Sequence, residues 1–215
     1  MRFGLARWAA AAAVVATVWC TSAHATVFQY KFILDGPSEN PVNASPGTGV
    51  GFADYDSVAR TLTMSATFSG LIGTVTQTHF HGNATSPIGL PPGSPPWSDA
   101  VRQATAGATG NTGIAIGAPS LPGFPLGGTS GVYNHVLDLT DPTVYNATFL
   151  ANNGGTAAGA EAAFASALAT GRIYWNVHST QFPGGEIRGF GFLIPEPAGA
   201  SLLAAGLLVL RRRRR

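Results

Sequence analysis

The side chains of this chain best suited to chemistry are its histidines, of which there are five in 215 residues. Three of them fall in two short segments, Thr78-His79-Phe80-His81-Gly82 and Asn176-Val177-His178. His79 and His81 are two apart, so on a strand both imidazoles leave the same face. After the loop Ser179 to Gly185, the second segment continues into Glu186-Ile187-Arg188-Gly189. Alternation turns Ile173, Trp175 and Val177 toward a core, and Tyr174, Asn176 and His178 the other way. Glu186 and Arg188 share a face opposite Ile187. If the two segments pair as a hairpin, His178 and Glu186 become near cross-strand neighbours, with Gly184-Gly185 supplying positive-φ positions for the closure.

Two chemistries compete for this set. His79, His81 and His178, with Glu186 beside them, offer imidazoles and a carboxylate suited to Zn²⁺ or Cu²⁺. The alternative is structural: His178 and Glu186 form a charge-assisted cross-strand pair while the other histidines hydrogen-bond loop backbone. Glu186, Arg188 and Asn176 then make a network that fixes the hairpin register, Glu186 and Arg188 bracketing His178 or each holding a loop carbonyl or amide. Other reactive constellations are missing from the sequence. It has no Gly-x-Ser-x-Gly elbow and no phosphate loop, and its one cysteine, Cys20, lies in the N-terminal segment. The Gly-rich stretch Gly107–Gly117 lacks the Lys-Ser/Thr of a nucleotide loop and reads as loop. Glu39, near Pro41, reads as a loop-ordering carboxylate. His135, on a face with Tyr133, Leu137 and Leu139, reads as a core-boundary histidine. Asn-x-Ser/Thr triplets stand at Asn43, Asn83 and Asn146. No residue is assigned a catalytic role, and the expectation is a protein that is not an enzyme.

The elements that must position these residues are short and β-prone. Val27 to Leu34 puts Phe28, Tyr30, Phe32 and Leu34 on one face. Thr61 to Phe68 alternates, with Leu62, Met64, Ala66 and Phe68 inward and threonine or serine outward. Further strands are expected at Gly49–Tyr55, Thr74–His81, Val132–Leu139, Arg172–His178 and Glu186–Leu193. Ala157 to Thr170 reads as the one helix, stopped by Gly171. Pro87–Pro96 and Ala118–Gly131 read as long loops. Gly (28) and Pro (15) are frequent and charged residues make up only 10%, which excludes coiled coils and charged disordered tails. Short strands with turn chemistry between them indicate an all-β fold, an antiparallel, immunoglobulin-like β-sandwich spanning residues 26–194.

The net charge of +2 is misleading as a guide to partners. Arg2, Arg7 and Arg211 to Arg215 lie at the ends, while Thr26 to Ile194 holds five basic residues against nine acidic ones, a formal −4. A nucleic-acid partner is therefore not expected. Residues 1–25 combine Arg2 and Arg7, an apolar run from Trp8 to Cys20, and a small-x-small site ending at Ala25. This is the pattern of a secretory signal peptide, cleaved by signal peptidase after Ala25. Residues 195–215 comprise Pro195-Glu196-Pro197, thirteen uncharged residues from Ala198 to Leu210, and five arginines. The apolar run spans about 20 Å as a helix, short of a ~30 Å hydrocarbon core, and the arginines can extend it by snorkelling. A plain C-terminal membrane helix is one reading of it.

Two resemblances follow from these residues. The tail resembles the PEP-CTERM sorting signal, whose Pro-Glu-Pro motif, short apolar segment and terminal Arg cluster occur here in order. That resemblance implies a Gram-negative, exopolysaccharide-producing host, transient inner-membrane anchoring, processing by exosortase near Pro195-Glu196-Pro197, and delivery to the envelope or outside. The body resembles the CHRD domain of chordin and of many bacterial secreted proteins. The matching pieces are Leu34-Asp35-Gly36-Pro37-Ser38-Glu39-Asn40-Pro41-Val42, Gly47-x-Gly49-x-Gly51, Ser69-Gly70-Leu71, His79-Phe80-His81-Gly82, and Tyr174 through Asn176-Val177-His178 to Pro183-Gly184-Gly185-Glu186-Ile187-Arg188-Gly189. This resemblance implies an all-β, immunoglobulin-like fold and no settled activity. The combined expectation is an exported, non-enzymatic envelope or matrix protein with exopolysaccharide or surface proteins as partners. The alternative is a Zn- or Cu-binding domain or metalloenzyme built on the histidines.

Overall fold

The computed structural model describes residues 27–82 and 111–194. The expected signal peptide with its Ala25 site, the loop Pro87–Pro96, and the sorting tail with Pro195, Glu196 and Pro197 lie outside the described residues. Among the described residues nine strands are joined by backbone hydrogen bonds: β1 (Val27–Asp35), β2 (Thr48–Asp56), β3 (Thr61–Ser69), β4 (Val75–His81), β5 (Ile114–Ile116), β6 (Gly131–Asp138), β7 (Tyr174–Ser179), β8 (Ile187–Phe190) and β9 (Phe192–Ile194). Their order is β5-β4-β7-β8-β1-β2-β3-β6, with β9 also on β1, and every pairing is antiparallel. Two helices, α1 (Ala147–Asn152) and α2 (Ala157–Ala169), lie between β6 and β7. No helix among the described residues is long and apolar enough to cross a membrane.

The period-2 pattern explains the β1-β2-β3-β6 half. Leu62, Met64, Ala66 and Phe68 of β3 are buried while Thr63, Thr67 and Ser69 are exposed, because successive side chains leave opposite faces. The nine-residue registers β1/β2 and β2/β3 run without a slip. The other half curls over this layer, and Trp175 of β7 fills the space between. Its ring lies 4.7 Å from Phe80, 5.8 Å from Phe32 and 6.2 Å from Tyr133, and its indole N–H donates to Thr78 Oγ1 at 2.9 Å. Gly51 of β2 permits the approach: a Cβ there would sit 2.7 Å from the indole ring. Helix α2 closes one end. The Thr156 hydroxyl caps it by accepting from Gly159 N, and Phe164, fully buried, reaches Phe80 at 5.9 Å.

The all-β expectation holds as an antiparallel, half-barrel sheet with a few short helices. The hydrogen bonding joins all nine strands, so it draws no boundary between two immunoglobulin-like sheets. The expected helix is observed, ending one residue earlier at Ala169, with Thr170 as its C-cap and Gly171 at φ +67 beyond. Three elements differ from expectation. Ile114–Ile116, inside the stretch read as loop, is a strand whose Ala115 and Ile116 are completely buried. The expected strand Glu186–Leu193 is broken at Gly191, whose N–H turns to Ile173 O, leaving β8 and β9. Helix α1 was not legible; Asn146 starts it by accepting from Thr148 N and Phe149 N.

The crossing of β8 over β1 has almost no room: a Cβ on Gly189 would collide with the backbone carbonyl of Ile33, whereas one on Gly184 would meet nothing within 4 Å. Gly189→Ala is therefore expected to lower the melting temperature by about 10 °C or more, or to prevent folding. Gly184→Ala is expected to stay within about 2–4 °C of the parent, and thermal melts followed by circular dichroism compare the two.

Candidate metal centre

Strand β7 is buried along its whole length, on both faces. Its core face carries Trp175 and Val177. Its other face carries Tyr174, Asn176 and His178, with β4 on one side and β8 on the other. Register places His81 opposite Tyr174, His79 opposite Asn176 and Gln77 opposite His178, and opposite residues of an antiparallel pair share a face. Asn176 faces Arg188 in the same way across β8. A polar layer thus lies on the side of β4-β7-β8 away from the core, roofed by the segments around 36–46, 112–121 and 180–185.

Within this layer the three expected histidines come together. One ring nitrogen from each of His79, His81 and His178 lies within 4.8 Å of the other two. His79 and His178 are the closest, with Nε2 atoms 2.9 Å apart. Each ring's other nitrogen faces a backbone carbonyl: His79 Nδ1 to Pro119 O at 3.3 Å, His81 Nδ1 to Thr112 O at 2.6 Å, and His178 Nδ1 to Pro183 O at 2.8 Å. A carbonyl can only accept, so these contacts select the tautomer with the proton on Nδ1, which leaves Nε2 as a lone pair. With both rings in that tautomer, lone pairs 2.9 Å apart repel unless a cation lies beside them; with His79 in the other tautomer the same contact is an N–H···N hydrogen bond. His81 Nε2 is buried with no protein partner, and its ring stacks on Tyr174 at 4.5 Å and 8°.

Burial, followed by the neighbouring imidazoles, pushes the His79 pKa down to about 3. Burial pushes His81 down to about 4, against the pull of its carbonyl partner, and lowers His178 as well. The rings are therefore neutral at physiological pH, the form in which imidazole ligates a metal. In a tetrahedral Zn site, ligand nitrogens at 2.0–2.1 Å from the ion stand about 3.3 Å apart. To reach that arrangement the 2.9 Å pair opens by about 0.4 Å and the widest separation, within 4.8 Å, closes by up to about 1.5 Å. Backbone carbonyls behind each Nδ1–H are the outer contacts that orient metal-binding histidines.

Glu186 does not join this set, and its expected pairing with His178 is corrected. The β7–β8 ladder ends with Val177 opposite Ile187, and Glu186 N donates to Val177 O at 2.8 Å, so the register does not set Glu186 opposite His178. The carboxylate instead accepts from Ser45 Oγ at 2.6 Å, Ile72 N at 2.5 Å and Gly73 N at 3.2 Å. Those loop amides have no ladder partner and must be satisfied inside the protein, and a carboxylate is the strongest acceptor available. Desolvation raises the Glu186 pKa, but the hydroxyls of Ser179 and Ser45 and the two amides outweigh it and hold the group below the usual range. Of the two glycines before it, only Gly185 has positive φ (+133).

Arg188 and Asn176 belong to a second cluster centred on Glu39, which the sequence suggested only as a loop carboxylate. Asn176 Nδ2 donates to Glu39 Oε1 at 2.7 Å. Arg188 is completely buried, donates to Ser38 O and to Asn111 Oδ1, and lies 3.8 Å from Glu39 Oε2. Its guanidinium also stands 4.8 Å from the Tyr174 ring centre. Burial pushes the Glu39 carboxyl up to about 8, against Arg188, the Asn40 amide and Asn176, which lower it. Thr112, Tyr174 and Ser45 are the further site residues that sequence reasoning did not single out. Only the alternation of β7 pointed toward Tyr174, and no spacing linked the others to the histidines. His135 stays outside, half-buried and stacked on Tyr133 at 6.1 Å.

The model of the CHRD domain family matches residues 30–190 of the chain. That span holds β2 to β8, most of β1, and every residue of the layer. No curated protein and no solved structure matches the chain.

Two substitutions separate the roles of the carboxyls. A folded-state pKa raised to about 8 means that the stability contributed by neutral Glu39 is present below the ordinary value and is lost as pH rises through 8. The parent is therefore expected to lose about 1 kcal/mol between pH 7 and pH 9, and Glu39→Gln is expected to remove that loss, as read from denaturant titrations at the two pH values. Glu186→Gln places an NH₂ among N–H and O–H donors and is expected to cost about 1–3 kcal/mol at neutral pH. An unchanged melting temperature would show that its hydrogen bonds contribute nothing to the fold.

Proposed function

The chain belongs to the CHRD domain family, and on that premise we propose that it is an exported bacterial envelope or extracellular-matrix protein whose domain binds one Zn²⁺ or Cu²⁺ ion through His79, His81 and His178. The observation that carries the metal assignment is the 2.9 Å approach of two Nε2 atoms in rings whose Nδ1 atoms both face carbonyls. In the tautomer those carbonyls select, a cation among the three lone pairs turns repulsion into ligation. Three neutral nitrogen donors with no thiolate suit the borderline ions Zn²⁺ and Cu²⁺ rather than the hard Ca²⁺ or Mg²⁺, which take oxygen ligands.

Support for export comes from the residue patterns at the two ends. The pattern ending at Ala25 supports passage through the secretory route and signal peptidase. Pro195-Glu196-Pro197 with its apolar run and arginines supports sorting by exosortase, with transient insertion in the inner membrane of a Gram-negative cell. Exopolysaccharide and surface proteins are the partners this setting offers. The role we assign to the domain is binding, with no turnover. The ion would also tie β4 to β7 and so stabilise the half-barrel. Its immunoglobulin-like character rests on the packing of the two halves about Trp175.

Metal analysis of the purified full-length chain is the direct test. One equivalent of Zn²⁺ or Cu²⁺ per chain is expected, and none in His79→Ala/His178→Ala. A chain without stoichiometric metal, or one whose metal survives that double substitution, overturns the assignment. Added ion at a free concentration of 100 times its Kd should stabilise the parent by about 2.7 kcal/mol and leave the double variant unmoved.

A further inference from the structure

Three protein nitrogens leave a four-coordinate ion one ligand short, the arrangement by which open metal sites differ from closed structural ones. The surroundings point to what fills the gap. Among the described residues, the buried side-chain nitrogen and oxygen atoms without a partner are His81 Nε2, Thr112 Oγ1 and Asn176 Oδ1. All three border the same cluster. His81 Nε2 is one of the candidate ligands, Thr112 supplies the carbonyl that holds His81, and Asn176 stands opposite His79 in the β4–β7 register and two residues from His178.

The Asn176 amide is held from one side. Its NH₂ donates to Glu39 Oε1, in contact so close to Gly185 that a Cβ there would lie 2.5 Å from Nδ2 and 2.6 Å from the Glu39 oxygen. The planar amide therefore turns its oxygen away from Glu39. Asn176 is 2% exposed, and a buried oxygen left without a donor costs about 1–3 kcal/mol. An amide oxygen accepts only, so the missing partner must bring an O–H or N–H.

We propose that the fourth ligand of the ion is an exchangeable water whose O–H donates to Asn176 Oδ1, with Glu39 as the positioning residue that aims the amide. The proposal rests on the metal reading above and adds to it an open coordination position with a chemical preference. Ligands that bring a hydrogen on the donor atom, such as water, hydroxide or hydroperoxide, satisfy Asn176. Aprotic anions such as azide or halide bind the ion but strand the amide oxygen.

The test uses Co²⁺ as the spectroscopic probe in the full-length protein. The parent should show the intense visible bands of four-coordinate Co²⁺, and azide should shift them saturably as it displaces water. Asn176→Ala removes the oxygen that azide strands, so azide should bind that variant about three- to tenfold more tightly than the parent. If azide leaves the parent's bands unchanged at saturating concentration, the fourth ligand is a protein group and the proposal is overturned, while the three-histidine site stands. Equal azide affinity in parent and variant overturns the role of Asn176. A parent that takes up no Co²⁺ removes the metal reading and this proposal together. The parent's own azide response keeps the open position testable should Asn176→Ala fail to fold.

Discussion

A strand that is covered on both faces must satisfy every polar group on its second face without water, and β7 is such a strand. Its core face is settled by Trp175, against which Phe32, Phe80, Phe124 and Tyr133 pack. The opposite face carries Tyr174, Asn176 and His178, and each needs a partner brought by another element. Strand β4 brings imidazoles, β8 brings Arg188, and the segment after β1 brings Glu39. The roofing loops contribute carbonyls and amides. Much of the molecule's long-range organisation is a response to that requirement, because a half-satisfied buried polar layer is worse than an apolar one.

The two ends of the layer solve the problem differently. Around Glu186 the solution is complete: a buried carboxylate collects hydroxyl and amide donors from two separate loops, and so ties residues 45, 72 and 73 to the start of β8. Around the histidines it is incomplete. Three neutral rings present lone pairs to one another, and two further atoms, Asn176 Oδ1 and Thr112 Oγ1, go without partners beside them. Glu39 stands between, buried beside Arg188 yet pushed toward its neutral form by desolvation. Natural interiors leave few buried polar atoms unpaired, and a cluster of them in one place is a feature of sites built for a ligand. The opposite end of the half-barrel shows what a finished polar cluster looks like there: Glu161 of α2 accepts from Tyr55 and from Arg60, with no orphan atom.

Much of this was legible in the residue order, and the reason is local. Period-2 alternation depends only on strand geometry, so β3, β6 and the two-faced character of β7 could be read directly, as could the histidine pair of β4 on one face. Helix α2 was legible because alanine-rich propensity and a terminal glycine act within a few residues. Strand β5 was not, because its three residues owe their extended form to pairing with Phe80 and His81 across a long insertion. The break at Gly191 was hidden for the same reason: it arises where the chain leaves β8 to pair with the other end of β1.

The sequence by itself determined that the protein is antiparallel β, that its basic charge belongs to its ends, and that His79, His81 and His178 could share a face. Only the tertiary structure decided that those rings converge while Glu186 turns away, and that Glu39, distant in sequence, aims Asn176. The physical reason is that competition for a carboxylate is settled in space. The unpaired amides of Ile72 and Gly73 lie nearer to Glu186 than any imidazole proton does, and no pattern along the chain records which donors a fold will leave without partners.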